Sequence, residues 1–287
     1  MCRILLPTTV MGEIDGEKGA WGYVRGGMGG VSASLAAAAE DAGATLLTNV
    51  QIKNVLTTAK NGKEVVGGVE LEDGTLIESD HVLWGASPQA LQAALPSSSF
   101  SEEDTKLFQN VEDEGASTKI NIAVDSPPNF TCAPNKSNKD TMPHHRATIH
   151  FEHHMDQIHD AYLDATQDHL SRRPVIEMTI PSSLDSTLAP EGKHVVQLFV
   201  QYTPYTLKVS FHHPFGVQDN DNHGSVHFYS TVNRVQDTKG WTEDLRKDFV
   251  NRVFDVIEEY APGFKSSVIE YDALFPPDLE KTFGLPK

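Results

Sequence analysis

The chain has 287 residues, enough for about two domains. Hydrophobic residues make up 39% and charged residues 22%, the balance of a globular protein, and the formal net charge is −17. Such an acidic surface argues against holding nucleic acid or anionic lipid by charge, and two cysteines without a CxxC pair exclude dithiol redox chemistry. No apolar run is long enough to suggest a transmembrane segment. The opening residues 1–7 have the pattern of neither a secretory signal nor a transit peptide, so no targeting segment is expected.

The first clear element is a glycine-rich turn, Gly26-Gly27-Met28-Gly29-Gly30, running into a helix that contains Leu35 and a row of alanines. Gly43 stands where a left-handed residue closes a helix. Residues 44–47 read as a short strand. Residues 51–79 read as a three-strand meander, with turns at Asn61-Gly62 and Asp73-Gly74. Residues 81–84 read as a buried strand that ends in Gly85-Ala86-Ser87-Pro88.

Beyond this point the pattern changes. Residues 102–110 read as a helix, 118–124 as an alternating strand and 126–145 as a loop. Further strands are expected at 174–180 and 194–201. Residues 242–260 form an amphipathic helix with Leu245, Phe249, Val253, Val256, Ile257 and Tyr260 on one face. Residues 208–240 follow no period and read as an atypical, irregular insertion.

The individual motifs are weak taken one at a time. A dinucleotide fingerprint needs a third glycine at position 32, where Ser32 stands, so the glycine turn is not read as a pyrophosphate grip. His144, His145, His150, His153, His154 and His159 lie close together, but no metal motif joins them, and they read as a solvated loop and helix surface. Ser182, Ser183 and Asp185 read as a turn or cap rather than as catalytic groups. Lys119, on a strand, is a candidate for acid–base work.

Longer strings carry more weight. Residues 17–29, the stretch Val69-Glu70-Leu71-Glu72-Asp73-Gly74-Thr75 and the stretch Val82-Leu83-Trp84-Gly85-Ala86-Ser87-Pro88 resemble the phytoene desaturase and amine oxidase type of flavoprotein. So do residues 119–124, 143–145, 173–177, 180–185, 188–190, 201–207, 260–264 and 276–280. The resemblance covers residues 11–207 and 241–286.

The resemblance implies an α/β (mixed α+β) flavoprotein: a Rossmann-like FAD-binding domain with a β-meander, plus a mixed-sheet substrate domain. Residues 1–95 would be a partial FAD-binding domain and 96–207 the substrate domain. The insertion would occupy 208–240, and 241–287 would return to the substrate domain. The implied cofactor is FAD, oxidising an unknown small-molecule substrate. Gly26, Gly27, Met28 and Gly29 would lie near the flavin, Ile52 near the adenine, and Ala86, Ser87 and Pro88 close to the cofactor. The resemblance also implies that the GxGxxG segment and a C-terminal FAD segment of relatives are missing here, leaving this chain inactive alone. It places the protein in the mitochondrial matrix, where the alternative is a non-enzymatic module that binds a mitochondrial protein partner.

Overall fold

The computed structural model describes residues 13–14, 16–18, 23–111, 115–207 and 240–285. The chain divides between residues 113 and 114 into two units, where the sequence suggests a boundary at 95. Segment 208–239, most of the expected insertion, lies outside the described residues.

The first unit begins with two short paired strands, β1 (Glu13–Ile14) and β2 (Glu17–Lys18). Helix α1 (Gly29–Asp41) follows the glycine turn. It ends as its sequence demands. Gly43 takes φ +91°, its N–H bonds to Glu40 O, and the Ala44 N–H bonds to Ala39 O.

The meander follows: β3 (Ile52–Lys60), β4 (Lys63–Leu71) and β5 (Leu76–Glu78), all antiparallel. Asn61 and Gly62 both have positive φ, which suits a tight hairpin whose twist matches its strands. Gly68 is required sterically. A Cβ there would lie 2.1 Å from Ile77 O, so any side chain would push β5 off β4.

Two expected strands are absent. Residues 44–47 and 81–84 take no strand conformation, and Leu83 is 99% exposed. An apolar run becomes a strand only when another backbone satisfies its N–H and C=O groups. Neither run has such a partner among the described residues.

Helix α2 (Pro88–Ala94) starts with Ser87 as cap, its Oγ accepting from the Ala90 N–H at 3.2 Å. Helix α3 (Glu102–Gln109) is capped by Ser101 and carries three acids in its first turn, favourable against the helix dipole. Phe100 and Phe108 meet edge to face at 5.4 Å, so α3 belongs to this unit.

The second unit is built on a five-stranded sheet of β6 (Ser117–Val124), β7 (Ile149–His150), β8 (Val175–Thr179), β9 (His194–Gln201) and β10 (Val268–Leu274). The order is β10-β6-β9-β8-β7. Every neighbouring pair is antiparallel, which corrects the expected mixed sheet. The connection from β9 to β10 shows why no parallel pair forms. β9 and β10 both run opposite to β6, so they run the same way as each other, but β6 separates them. The crossover that would create a parallel pair therefore skips a strand.

That crossover carries α5 (Glu243–Tyr260), capped by the Thr242 hydroxyl on the Leu245 N–H. Its apolar face buries Phe249, Val253 and Ile257 against Ile120, Ile176, Leu198 and Val200 of the sheet. Alternation along β6, β8 and β9 sends every second side chain into this core. Helix α4 (Met155–Thr166) packs against β8, and α6 (Phe264–Ser267) and α7 (Pro276–Phe283) flank β10.

Two polar clamps fix α5. Arg173 holds Glu259 with two hydrogen bonds, at 3.0 and 2.8 Å, and also donates to the Tyr260 hydroxyl. Arg246 grips Asp278 and lies 4.8 Å over the Phe275 ring. Trp241 Nε1 donates to Pro204 O at 3.2 Å, bringing together the chain on either side of segment 208–239.

Candidate active site

The sheet of the second unit has two faces. One is the core. The other carries a cross-strand row read directly from the register: His150 on β7 opposite Glu177 on β8, Glu177 opposite Phe199 on β9, Phe199 opposite Lys119 on β6, and Lys119 opposite Leu274 on β10. A base, an acid, a ring and an amine therefore stand side by side on adjacent strands. The next row holds Thr179, Gln197, Asn121 and Asp272.

Lys119 is the centre of this face. It makes no ion pair within 4.0 Å among the described residues. Burial lowers its pKa to about 8, against the opposing pull of the Glu177 charge. An amine poised there can both take up and release a proton near neutral pH. Beside it, Asn121 Oδ1 is buried and meets no donor among the described residues. An acceptor left in that state suits a ligand carrying an N–H or O–H group.

His150 Nδ1 lies 3.3 Å from Glu152 Oε2, and Nε2 lies 3.9 Å from Glu177 Oε2. Glu152 is held in turn by the Ile176 N–H, which donates to its Oε1 at 2.7 Å. Glu152 is thus fixed by backbone rather than free to swing.

His145 and His194 have structural work, and the burial of His145 corrects its expected place on a solvated surface. His145 is fully buried. Its Nδ1 accepts from the Met142 N–H at 2.8 Å, so its proton sits on Nε2, 2.9 Å from Pro128 O. Burial, with lesser contributions from His144 and His194, lowers its pKa against the pull of the Pro128 carbonyl. His145 thereby stitches the 126–145 loop together. His194 ties the same loop to β9 through Lys139 O at 2.9 Å. Among the described residues no group of three or more His, Cys, Asp or Glu side chains could hold a metal ion.

Ser182 accepts from the Val195 N–H at 3.0 Å, Ser183 donates to His145 O at 3.0 Å, and Asp185 caps the short turn Ser186–Leu188. Their polar atoms are committed to backbone, as expected of a turn.

The residues expected near FAD all fall in the first unit. Gly26 and Gly27 take φ +86° and +95°, and Met28 is the residue before α1. A Cβ on Gly26 or Gly29 would meet nothing within 4 Å, so the backbone surface there is open to a flat ring. The Gly27, Gly30 and Val31 N–H groups bond back to Val24, Gly27 and Met28 carbonyls. They are not aimed outward as a phosphate cradle would require. These three N–H groups are therefore not available to a phosphate.

Ile52 begins β3 and is 38% exposed. Ala86 and Pro88 are exposed, while Ser87 spends its hydroxyl on the α2 cap and accepts from Trp84 Nε1 through its carbonyl at 3.2 Å. Helix α2 packs on β3, which brings the elements of Ser87 and Ile52 together.

The family described as flavin containing amine oxidoreductase matches residues 4–167. "Pyridine nucleotide-disulfide oxidoreductase domain-containing protein 2" of Mus musculus is 40% identical over 279 residues, covering 96% of this chain and 43% of its own length. The Rattus norvegicus protein of that description matches at the same identity and coverage. A chloroplastic prolycopene isomerase of Daucus carota is 26% identical over 186 residues, covering 64% of this chain and 26% of its own length. Among solved structures, an oxidoreductase from Methanosarcina mazei aligns with a TM-score of 0.47 at 15% identity, covering 88% of this chain and 43% of its own. The chain spans less than half the length of the curated relatives it matches.

Proposed function

The chain belongs to the flavin containing amine oxidoreductase family, a class of FAD-dependent oxidoreductases, and on that footing we propose how its two units divide the work. The first unit contacts FAD through Gly26, Gly27, Met28 and Gly29, through Ile52, and through Ala86, Ser87 and Pro88. The second unit binds a small-molecule substrate on the face that carries Lys119. FAD when bound supplies the acceptor for two electrons from a substrate C–H bond. Lys119 takes up the proton released beside it, and Asn121 Oδ1 orients the substrate by accepting a hydrogen bond. The observation that carries this reading is Lys119 itself, a part-buried amine in the cross-strand row that makes no ion pair among the described residues, with burial lowering its pKa. The protein's place is the mitochondrial matrix, a proposal that rests on the family resemblance.

The 287 residues by themselves are proposed to hold FAD too weakly for turnover. The Gly27, Gly30 and Val31 N–H groups support this, because they bond inward and are not available to a phosphate at this turn. The test is to express the chain, add excess FAD, gel-filter it and record visible absorption of the protein peak. Colourless protein agrees with the proposal. A stoichiometric flavin band overturns it.

A second reading is a non-enzymatic interaction module that binds a mitochondrial protein partner. The exposure of Leu35 (68%) and Leu83 (99%) favours it, since apolar side chains in water invite a covering surface. Under this reading Lys119 is dispensable. Replacing it by methionine in the full-length flavoprotein would leave turnover intact, whereas the enzymatic reading expects a loss of about 100-fold or more.

A further inference from the structure

We propose that Phe199 is a positioning residue for the Lys119 amine: its ring stands between Lys119 and Glu177 in one cross-strand row and keeps them from closing into an ion pair. This deepens the reading of Lys119 as the proton acceptor and rests on it.

The argument starts from the register. Glu177 pairs with Phe199 on one side, and Phe199 pairs with Lys119 on the other. All three side chains leave the sheet on the same face. Lys119 and Glu177 are therefore two strand spacings apart, roughly 10 Å between backbones. A lysine and a glutamate can close such a gap together when the residue between them is small. Here it is a phenylalanine.

Phe199 is also out of character for its strand. Every other residue of β9 is buried or half-buried, and Phe199 is 39% exposed. A ring on the face opposite the core, more than a third of it in water, adds nothing to that core, so core packing does not explain its presence. Insulation does. An ion pair with Glu177 would hold the lysine protonated and engaged, and a protonated amine cannot take up a proton.

Other charged groups lie near the row. His150 on β7 stands beyond Glu177, and on β10 Asp272 lies in the adjoining row and Glu270 in the row after it. Only Glu177 is both on the row and separated from Lys119 by a single residue. The Glu177 charge already acts on Lys119 across the ring, and burial outweighs it.

The test is the titration of Lys119 in the purified 287-residue chain. Competitive labelling with acetic anhydride across a pH series, quantified by mass spectrometry, reports the neutral amine. The proposal expects Phe199→Ala to raise the half-labelling pH of Lys119 by about one unit, a tenfold loss of labelling at fixed pH. Phe199→Leu, which keeps an apolar spacer, should leave it unchanged. In a Glu177→Gln background, Phe199→Ala should no longer raise it. If Phe199→Ala has no effect, or raises the value equally in the Glu177→Gln background, the ring is not an insulator. Labelling needs neither flavin nor turnover, so it stands apart from the enzymatic reading. That reading fails separately if Lys119→Met retains full activity in the full-length flavoprotein.

Discussion

Helices α1 and α5 are treated very differently by the residues around them. α5 buries Phe249, Val250, Val253, Phe254, Val256 and Ile257. α1 buries none of its residues, and its Leu35 is 68% exposed. The same contrast holds for strands. β6, β8 and β9 drive alternate side chains into a shared core, while the apolar runs at 44–47 and 81–84 have no partner strand among the described residues. An apolar pattern therefore states a demand for burial and does not say which backbone will meet it. In the second unit its own elements meet that demand. In the first, the meander strands pair with one another, and α2 packs on β3 and α3.

The sharpest way to break this comparison is a pair of truncations. Phe249→Ala empties the centre of the second unit and should cost about 3–5 kcal/mol. Leu35→Ala removes a side chain already in water and should change stability by less than about 0.5 kcal/mol. Urea midpoints of the two variants measure the difference. Equal losses would mean that α1 is packed as well as α5.

A smaller effect of opposite sign is expected at Lys119. Its folded pKa of about 8 lies below the ordinary 10.5, so the unfolded chain holds this proton more tightly. Stability should rise with pH between 8 and 10.5, and the full penalty applies below 8. Lys119→Met should therefore stabilise the second unit by about 1–3 kcal/mol at pH 7, after allowing for partial exposure. In the full-length flavoprotein the same change should abolish most turnover. A site group that weakens its fold while serving its chemistry would show both effects together.

The smallest effect concerns the loop clamp. His145 is held neutral, and protonating Nδ1 would set two donors, its own N–H and that of Met142, against each other. Its folded pKa lies below the ordinary value, so the unfolded state takes up the proton first. Stability should fall as pH drops through about 6.5, the unfolded value. His145→Gln should lower stability at pH 7.5 and flatten that decline, as followed by urea midpoints between pH 5.5 and 7.5.

Much of the fold is legible in the residues. The meander at 51–79, the glycine closing α1 and the amphipathic face of α5 all depend on local chemistry, and all appear as read. β10 was legible and missed: Tyr271 and Ala273 alternate with Glu270 and Asp272 on an edge strand. The antiparallel pairing was not legible, because it depends on which strand lies between β9 and β10. The row on the second face was beyond reading for the same reason. His150, Glu177, Phe199 and Lys119 come from four strands, and only the register places them side by side. Of the four, the sequence singles out Lys119 as a strand residue that could do acid–base work and His150 as one of a cluster of histidines.

The central claim is that the second unit is self-sufficient while α1 and the runs at 44–47 and 81–84 await a covering surface. Native-state hydrogen exchange on the purified chain tests it most directly. The account predicts that β6, β8, β9 and α5 amides exchange only through global unfolding of their unit, while amides of α1, 44–47 and 81–84 exchange through small local openings. Protection of the α1 amides as strong as that of α5 would contradict it.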